Sequence, residues 1–146
     1  MRRRVPLIAA AVVAFLAVSV LLARWLSTES TERDKVHRLL EAEARGDGAG
    51  ALAQLHGCSD RPCRATVLRS ARALRRPGAV KIIDYRSATS YALGSATGRT
   101  RVAWISLQQG LPVVQCVTVR RGGSALAGRS VTLLRISAPI DRQGSC

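Results

Sequence analysis

Aromatic residues are scarce in this sequence, which has two tryptophans, two tyrosines and one phenylalanine among 146 residues. Proteins that bind single-stranded nucleic acid stack bases on aromatic side chains, so this scarcity argues against a nucleic-acid partner. Three local motifs of catalysis are also missing: a nucleophile elbow, a glycine-rich phosphate loop and an HExxH helix. These absences argue against an enzyme and leave a binding role as the better expectation.

Acidic residues are few as well, with 9 Asp and Glu against 23 Lys and Arg. Beyond residue 24 the chain keeps 19 basic and 9 acidic side chains, a net charge of +10. Arginine outnumbers lysine 21 to 2, a skew typical of GC-rich genomes, so a single arginine is not by itself evidence of a ligand. We expect a domain of this charge outside a membrane to attract anionic lipid or an anionic envelope polymer.

One long apolar run, Val5–Ala23, contains no charged residue over 19 positions. A helix of this length spans ~28 Å, close to the ~30 Å hydrocarbon core of a bilayer. The run is too long and too apolar for a small domain to bury, so we predict an uncleaved transmembrane anchor. A cleaved signal peptide is the alternative, although its apolar region is usually about 7–15 residues long and the segment Ala23–Leu26 offers no small-x-small cleavage site.

Flanking charges predict the orientation of this run. The segment Arg2–Arg4 and the terminal amine precede it, whereas Arg24 directly follows it. Basic flanks stay in the cytoplasm, so we expect a cytoplasmic N-terminus and an extracytoplasmic domain on a single-pass cell-membrane protein. Further basic residues in the segment 33–38 weaken this bias. The predicted divisions are residues 1–26 (cytoplasmic tip and anchor), 27–31 (linker), 32–138 (domain) and 139–146 (C-terminal tail).

Four cysteines are an even count in a small exported domain, which predicts two disulfides. We predict the pairs Cys58–Cys63 and Cys116–Cys146, because the first closes a short turn and the second ties the C-terminal tail to a strand. A zinc site is the alternative, although its H-x-C-x4-C spacing matches no strong pattern. Its ligands would be His56, Cys58, Cys63 and either Cys116 or His37.

Three helices are predicted after the anchor, followed by a run of strands. The first helix is predicted to begin at a cap at Thr31 and to end at Gly46. The second begins at Asp47 and ends at Gly57. The third begins at Ser59–Pro62 and is broken by Pro77–Gly78. The strand predictions fall within residues 79–93, 98–105, 113–121 and 130–137. Helices followed by strands with short connections predict an α+β fold, with two or three helices packed on a three- to four-stranded antiparallel sheet.

The segment 39–47, LLEAEARGD, is a leucine-bearing helix that ends in a small residue, glycine and aspartate before a second Ala/Leu-rich helix. This pattern resembles the nuclear-transport-factor-2-like superfamily over roughly residues 31–138. The resemblance implies a curved antiparallel sheet wrapped around N-terminal helices, which together form a cone. A transmembrane segment before such a domain also resembles small actinobacterial envelope proteins and the inner-membrane assembly component of type IV secretion machines.

The strongest candidate site is the basic side of the third helix, where helical spacing stacks Arg61, Arg64, Arg72 and Arg75. Each could contribute ~1 kcal/mol against an anionic surface. The alternative is an ordinary solvated helix face in an arginine-rich chain.

The third predicted strand supplies a second candidate surface. Val113, Val114, Val117 and Val119 are more apolar residues than one face of a sheet requires. The surplus favours contact with a partner protein or a second copy of the domain. Together with the anchor it makes a binding or assembly module the leading hypothesis.

A pocket enzyme or small-ligand carrier is the alternative function. Enzymes of the resembled fold hold an acid–base pair in the cone, and the candidates here are Asp84, Tyr85, Tyr91, Asp47 and either His37 or His56. Adjacent strand residues point to opposite faces, so only one of Asp84 and Tyr85 can face a pocket. We predict no cofactor and no metal.

Overall fold

The computed structural model describes residues 4–89, 95–124 and 128–146, and it confirms the α+β class. The described part contains three helices followed by four strands. The helices are α1 (Arg4–Arg45), α2 (Gly48–Ala53) and α3 (Arg61–Ala73), and the strands are β1 (Val80–Ser87), β2 (Ala96–Ser106), β3 (Gln109–Ser124) and β4 (Gly128–Ile136).

The predicted anchor and the first domain helix are one continuous helix of 42 residues, α1. Residues 27–31, predicted as a linker with a new helix cap at Thr31, are helical. This segment contains neither proline nor glycine, so nothing in it stops helix propagation. Gly46, with φ of +78°, ends the helix as predicted, since that conformation is strained for a residue with a side chain.

The two halves of α1 have opposite environments. Large apolar side chains described between Ile8 and Leu22 are 51 to 71% exposed, whereas Val36, Leu39 and Leu40 are completely buried. Within the described residues, no helix has both the length and the hydropathy needed to cross a bilayer.

The predicted caps of the next two helices are confirmed. The Asp47 carboxylate accepts from the Gly50 backbone N–H at 2.8 Å, and Asp60 accepts from the Cys63 N–H at 3.4 Å. Pro62 lies in the first turn of α3, where its missing N–H would have no intrahelical partner.

All four strands form one antiparallel meander in the order β1-β2-β3-β4. A register shift between Ile82 and Asp84 inserts Ile83 as an extra residue in β1. The extra residue shifts the inward and outward alternation of the side chains by one position. Tyr85 therefore faces α1, as Ile82 does, and Asp84 faces away.

The core lies between α1 and the inner face of the sheet. Trp104 is the largest fully buried side chain, and it packs in one cluster with the leucines of α1. The sheet contributes Val80, Val102, Trp104, Val113, Val117, Val119, Val131, Leu133 and Ile136 to this cluster.

The C-terminal segment covers part of the outer face of the sheet. Ile140 donates its backbone N–H to the Val114 carbonyl, and Arg101 donates to the carbonyls of Arg142 and Gly144. Val114 is therefore only 3% exposed, although it points away from α1. The surplus valine of β3 is covered by the chain itself, so the predicted partner contact on this strand has no support.

Both predicted disulfides are present, Cys58–Cys63 with a Cα–Cα distance of 5.4 Å and Cys116–Cys146 with 5.8 Å. No cysteine is left as a free thiolate, so the zinc alternative fails. Two disulfides are typical of proteins in oxidising, extracytoplasmic compartments.

The two disulfides should differ in their contribution to stability, because they close loops of 30 and 5 residues. Cys116→Ser/Cys146→Ser should lower the free energy of unfolding by about 3–4 kcal/mol, and the matched Cys58→Ser/Cys63→Ser by about 2 kcal/mol, on the loop-entropy model. Urea denaturation of the purified variants measures both values, and an equal or reversed order would contradict the prediction.

Candidate functional site

The four arginines predicted as a binding face are all exposed. Arg61, Arg64, Arg72 and Arg75 form no ion pair with the described residues. Leu68 also lies on this outer side of α3 and is 37% exposed. Arg61, Arg64 and Arg72 lie on α3, whereas Arg75 follows the end of the helix at Ala73. The result is a basic face with a shallow apolar strip. Ala65, Leu68, Arg69, Arg72 and Ala73 line that strip.

Acidic side chains do not neutralise this face. The sequence contains no acidic residue between Asp60 and Asp84, a stretch with seven basic residues. Asp60 itself accepts from Arg135 at 2.7 Å, and Asp47 caps α2. The positive charge of α3 is therefore available to an external anion.

The two strongest candidates for an acid–base pair are on opposite faces of the sheet. Asp84 accepts from Arg101 at 2.5 Å and lies 3.3 Å from Nε of Arg86 on the outer face. Tyr85 points inward, where its hydroxyl donates to Glu32 at 2.6 Å. Both groups are committed to structural partners.

The remaining candidates do not converge on them. His37 is bonded through Nε2 to the Val80 carbonyl at 3.0 Å, at the start of β1 and away from Tyr85. His56 is exposed, and Asp47 caps α2. Tyr91 lies outside the described residues. The geometry does not assemble the predicted acid–base site.

A buried polar cluster that the sequence analysis missed surrounds Glu32 of α1. The Glu32 carboxylate is completely buried and accepts hydrogen bonds from two neighbouring strands, from the segment after β1 and from β3. Its side-chain donors, with distances to a carboxylate oxygen, are Tyr85 Oη (2.6 Å), Arg121 Nε (2.7 Å), Thr100 Oγ1 (2.8 Å), Ser87 Oγ (2.9 Å) and Thr89 Oγ1 (3.1 Å).

Arg121 completes this cluster from β3. Its Nη2 lies 2.7 Å from the same Glu32 oxygen that accepts from Nε, and its Nη1 donates to the Thr89 carbonyl at 3.1 Å. Arg121 is nearly as buried as Glu32, at 4% exposure. Glu32 and Arg121 thus join α1 to the end of the sheet that holds the β1 terminus and the β3–β4 hairpin.

Burial and hydrogen bonding act in opposite directions on Glu32. Burial alone raises the pKa of a carboxyl group, but the hydrogen bonds from Tyr85, Thr100 and Arg121 and the Arg121 charge outweigh it, so the pKa of Glu32 is lowered. For Tyr85, burial and the adjacent Glu32 charge raise the pKa. A carboxylate held ionised by this many donors is a poor general base. The cluster is a fixed link between helix and sheet.

A second missed acid, Glu43, lies three turns further along α1 and is also completely buried. Its Oε2 accepts from Gln115 Nε2 at 2.9 Å, and Gln115 Oε1 in turn accepts from the Trp104 indole at 2.8 Å. Its Oε1 has no hydrogen-bond partner among the described residues. Burial, only partly offset by the Gln115 hydrogen bond, raises the pKa of Glu43 to about 7.

Sequence periodicity could have identified these groups. Glu32 precedes Val36 by four residues and Glu43 follows Leu39 by four, so both lie on the apolar stripe of α1. Gln115 and Arg121 stand in the same two-residue alternation as the buried valines of β3. A polar residue at a core position of either pattern predicts a buried partner.

Comparisons of the chain with protein-family models, curated proteins and solved structures give no match. The resemblance to the nuclear-transport-factor-2-like superfamily therefore stays a prediction. The function is therefore inferred from the contacts and exposure of the described residues.

Removal of the Glu32 charge should be strongly destabilising, because it leaves Arg121 buried without a counter-charge. We expect Glu32→Gln to lower the free energy of unfolding by about 3–5 kcal/mol. The exposed neighbour Glu29→Gln is the matched control and should change it little. In urea denaturation, Glu32→Gln/Arg121→Met should be more stable than Glu32→Gln alone, and a less stable double variant would contradict the buried ion pair.

Glu43 should make the protein less stable as the pH rises. A carboxyl group with a raised pKa stabilises the folded state fully below about pH 4.5, and this contribution is lost as the pH rises through about 7. The loss is at most roughly 3 kcal/mol. Glu43→Gln should flatten this part of the pH profile and should be more stable than the wild type at pH 8. The pKa of Glu32 is lowered, so its own effect on the stability falls at a lower pH than that of Glu43. Identical pH profiles for wild type and Glu43→Gln would rule the effect out.

Proposed function

We infer that this protein is a membrane-anchored, extracytoplasmic binding or assembly module without catalytic activity. One observation carries the proposal: in a single helix, α1, the large apolar side chains described between Ile8 and Leu22 are exposed, whereas Val36, Leu39 and Leu40 further along are buried in the domain core. Exposed apolar surface of this extent marks contact with a membrane or a partner.

A bilayer is the environment that fits the first half of α1 best. The run Val5–Ala23 has no charged residue, and its helical length of ~28 Å matches the hydrocarbon core. Ser19, a polar side chain in its middle, donates its hydroxyl to the Phe15 carbonyl at 2.8 Å, which satisfies the group without water. The two disulfides support an extracytoplasmic domain.

The link around Glu32 determines how the domain is presented. Glu32 lies nine residues beyond Ala23 on the same helix, a rise of ~14 Å. The helix is continuous over this distance, so the domain stands at a fixed height above the anchor. A fixed presentation suits an assembly module, which must meet its partner at a defined position.

The interior favours surface binding over a pocket. Trp104, Leu39 and Leu40 fill the space between α1 and the sheet, and the Tyr85 hydroxyl is bonded to Glu32. One observation favours the alternative of a small-ligand carrier: the buried Glu43 keeps an oxygen without a described partner. The order of helices and a four-stranded meander supports the nuclear-transport-factor-2-like assignment, which we retain as part of the proposal.

Membrane attachment should depend on the apolar run. Full-length protein should stay in the membrane pellet after alkaline carbonate washing, whereas Val13→Arg/Leu16→Arg should be released, because each arginine at a helix centre costs about 2.5–3.5 kcal/mol. Val13→Ala/Leu16→Ala is the matched control and should stay bound. Both positions are exposed, so domain folding should not change.

Fractionation and N-terminal mass spectrometry together decide the proposal, and disulfide formation is the folding control. Release of the wild type by carbonate, or retention of the arginine variant, would overturn the anchor. A mature N-terminus beyond residue 23, found by mass spectrometry, would replace it with a cleaved signal peptide. Complete disulfide formation in the arginine variant would show that its release is not a folding defect.

A further inference from the structure

The domain has two distinct ends along α1. The end near the anchor holds Glu32 and its donors. At the other end, the Arg76 N–H donates to the Ala44 carbonyl of α1, and Arg76 Nη1 donates to the Leu111 carbonyl at 2.6 Å. The Leu107 N–H donates to the Ala79 carbonyl at 3.0 Å. The end of α1, the segment after α3 and the β2–β3 hairpin therefore meet ~33 Å beyond Ala23, at the position of Arg45.

Two leucines at this distal end are fully accessible. Leu107 is 62% exposed and Leu111 is 66% exposed, more than any other large apolar side chain of the described domain beyond the apolar run. Leu107 lies in the turn between β2 and β3, and Leu111 lies near the start of β3. Their exposure marks a contact surface.

A basic segment adjoins these leucines, because Arg76, which follows Arg75 in the chain, donates to the Leu111 carbonyl at 2.6 Å. Arg75 packs with its methylenes against Gly46 at the end of α1, since a Cβ there would lie 3.1 Å from Arg75 Cδ. Its guanidinium is exposed, as is that of Arg72 one turn earlier on α3. Neither forms an ion pair with the described residues. We call Arg72, Arg75, Leu107 and Leu111 the distal surface.

We propose that the distal surface binds an acidic surface of a partner protein that also presents apolar side chains. Cations beside exposed leucines complement such a surface in both charge and apolarity. The headgroups of the membrane that holds the anchor are out of reach, because α1 keeps this end ~33 Å away. A second copy of the domain is disfavoured, since each copy carries a net charge of +10 beyond residue 24. This proposal depends on the anchored arrangement proposed above.

The test uses full-length protein in phosphatidylcholine nanodiscs and a synthetic amphipathic helix with glutamate on one face and leucine on the other. We expect the peptide to bind, and Arg72→Gln/Arg75→Gln to weaken binding about tenfold. Arg33→Gln/Arg38→Gln, with the same charge change on the exposed part of α1, is the matched control and should bind like the wild type.

A second pair of variants separates this surface from general attraction to a cationic protein. Leu107→Ser/Leu111→Ser changes no charge and should also weaken binding severalfold, whereas Ile83→Ser, at a 49% exposed site elsewhere, should not. Equal binding by the distal variants, or loss of affinity in the Arg33/Arg38 control alone, would overturn the proposal.

Other occupants give other results in the same experiment. Binding to phosphatidylglycerol vesicles without binding to the peptide would overturn it in favour of lipid, and a concentration-dependent dimer in sedimentation would overturn it in favour of a second copy. Carbonate extraction of the distal variants should leave them in the membrane. Failure of the distal surface is therefore distinguishable from failure of the anchor.

Discussion

The buried pair of Glu32 and Arg121 is the interaction on which the arrangement of this protein depends. It joins α1 to β3 at zero and 4% exposure, and Tyr85 and Thr100 add donors from the first two strands. A buried ion pair contributes little net stability compared with apolar side chains of the same size. What it supplies is registry, because only one rotation of α1 places Glu32 among its donors. The Glu32–Arg121 pair fixes the rotation of α1 about its own axis, and α1 continues without a break into the apolar run. The domain therefore has a defined orientation relative to that run.

Local features of the fold could be predicted from sequence because their causes are local. Asp47 and Asp60 cap helices through contacts three residues away, and Gly46 ends α1 because of its own backbone freedom. The buried polar groups could not be located in the same way. Arg121 reaches Glu32 across 89 residues and Gln115 reaches Glu43 across 72. Periodicity can flag a polar residue at a core position, but only the assembled sheet identifies its partner.

The accessibility of a predicted surface depends on whether another described segment covers it. The surplus among the four valines of β3 was expected to contact a partner, but Ile140 covers the outward-facing Val114, and the Cys116–Cys146 disulfide holds that segment in place. Leu68 is 37% exposed and lies beside Arg69 and Arg72 of α3. The four predicted arginines remain exposed, although Gly46 and Gly48 approach Arg75 and Leu68 on the same side. No sequence pattern indicated that Leu107 and Leu111 are exposed, because their accessibility depends on their place at the β2–β3 hairpin.

The distribution of acidic residues connects the composition with the proposed function. The chain has nine acidic side chains, and five of them serve the core, the helix caps or the sheet: Glu32 and Glu43 inside, Asp47 and Asp60 at helix caps, and Asp84 on Arg101. Carboxylates that are buried or already paired do little to neutralise the basic residues on the surface, and α3 has no carboxylate on its exposed side. The excess of arginine therefore produces a localised positive face on the outer side of α3. Its distal end, beside two exposed leucines and far from the apolar run Val5–Ala23, is where a partner of opposite charge would find both attraction and apolar contact.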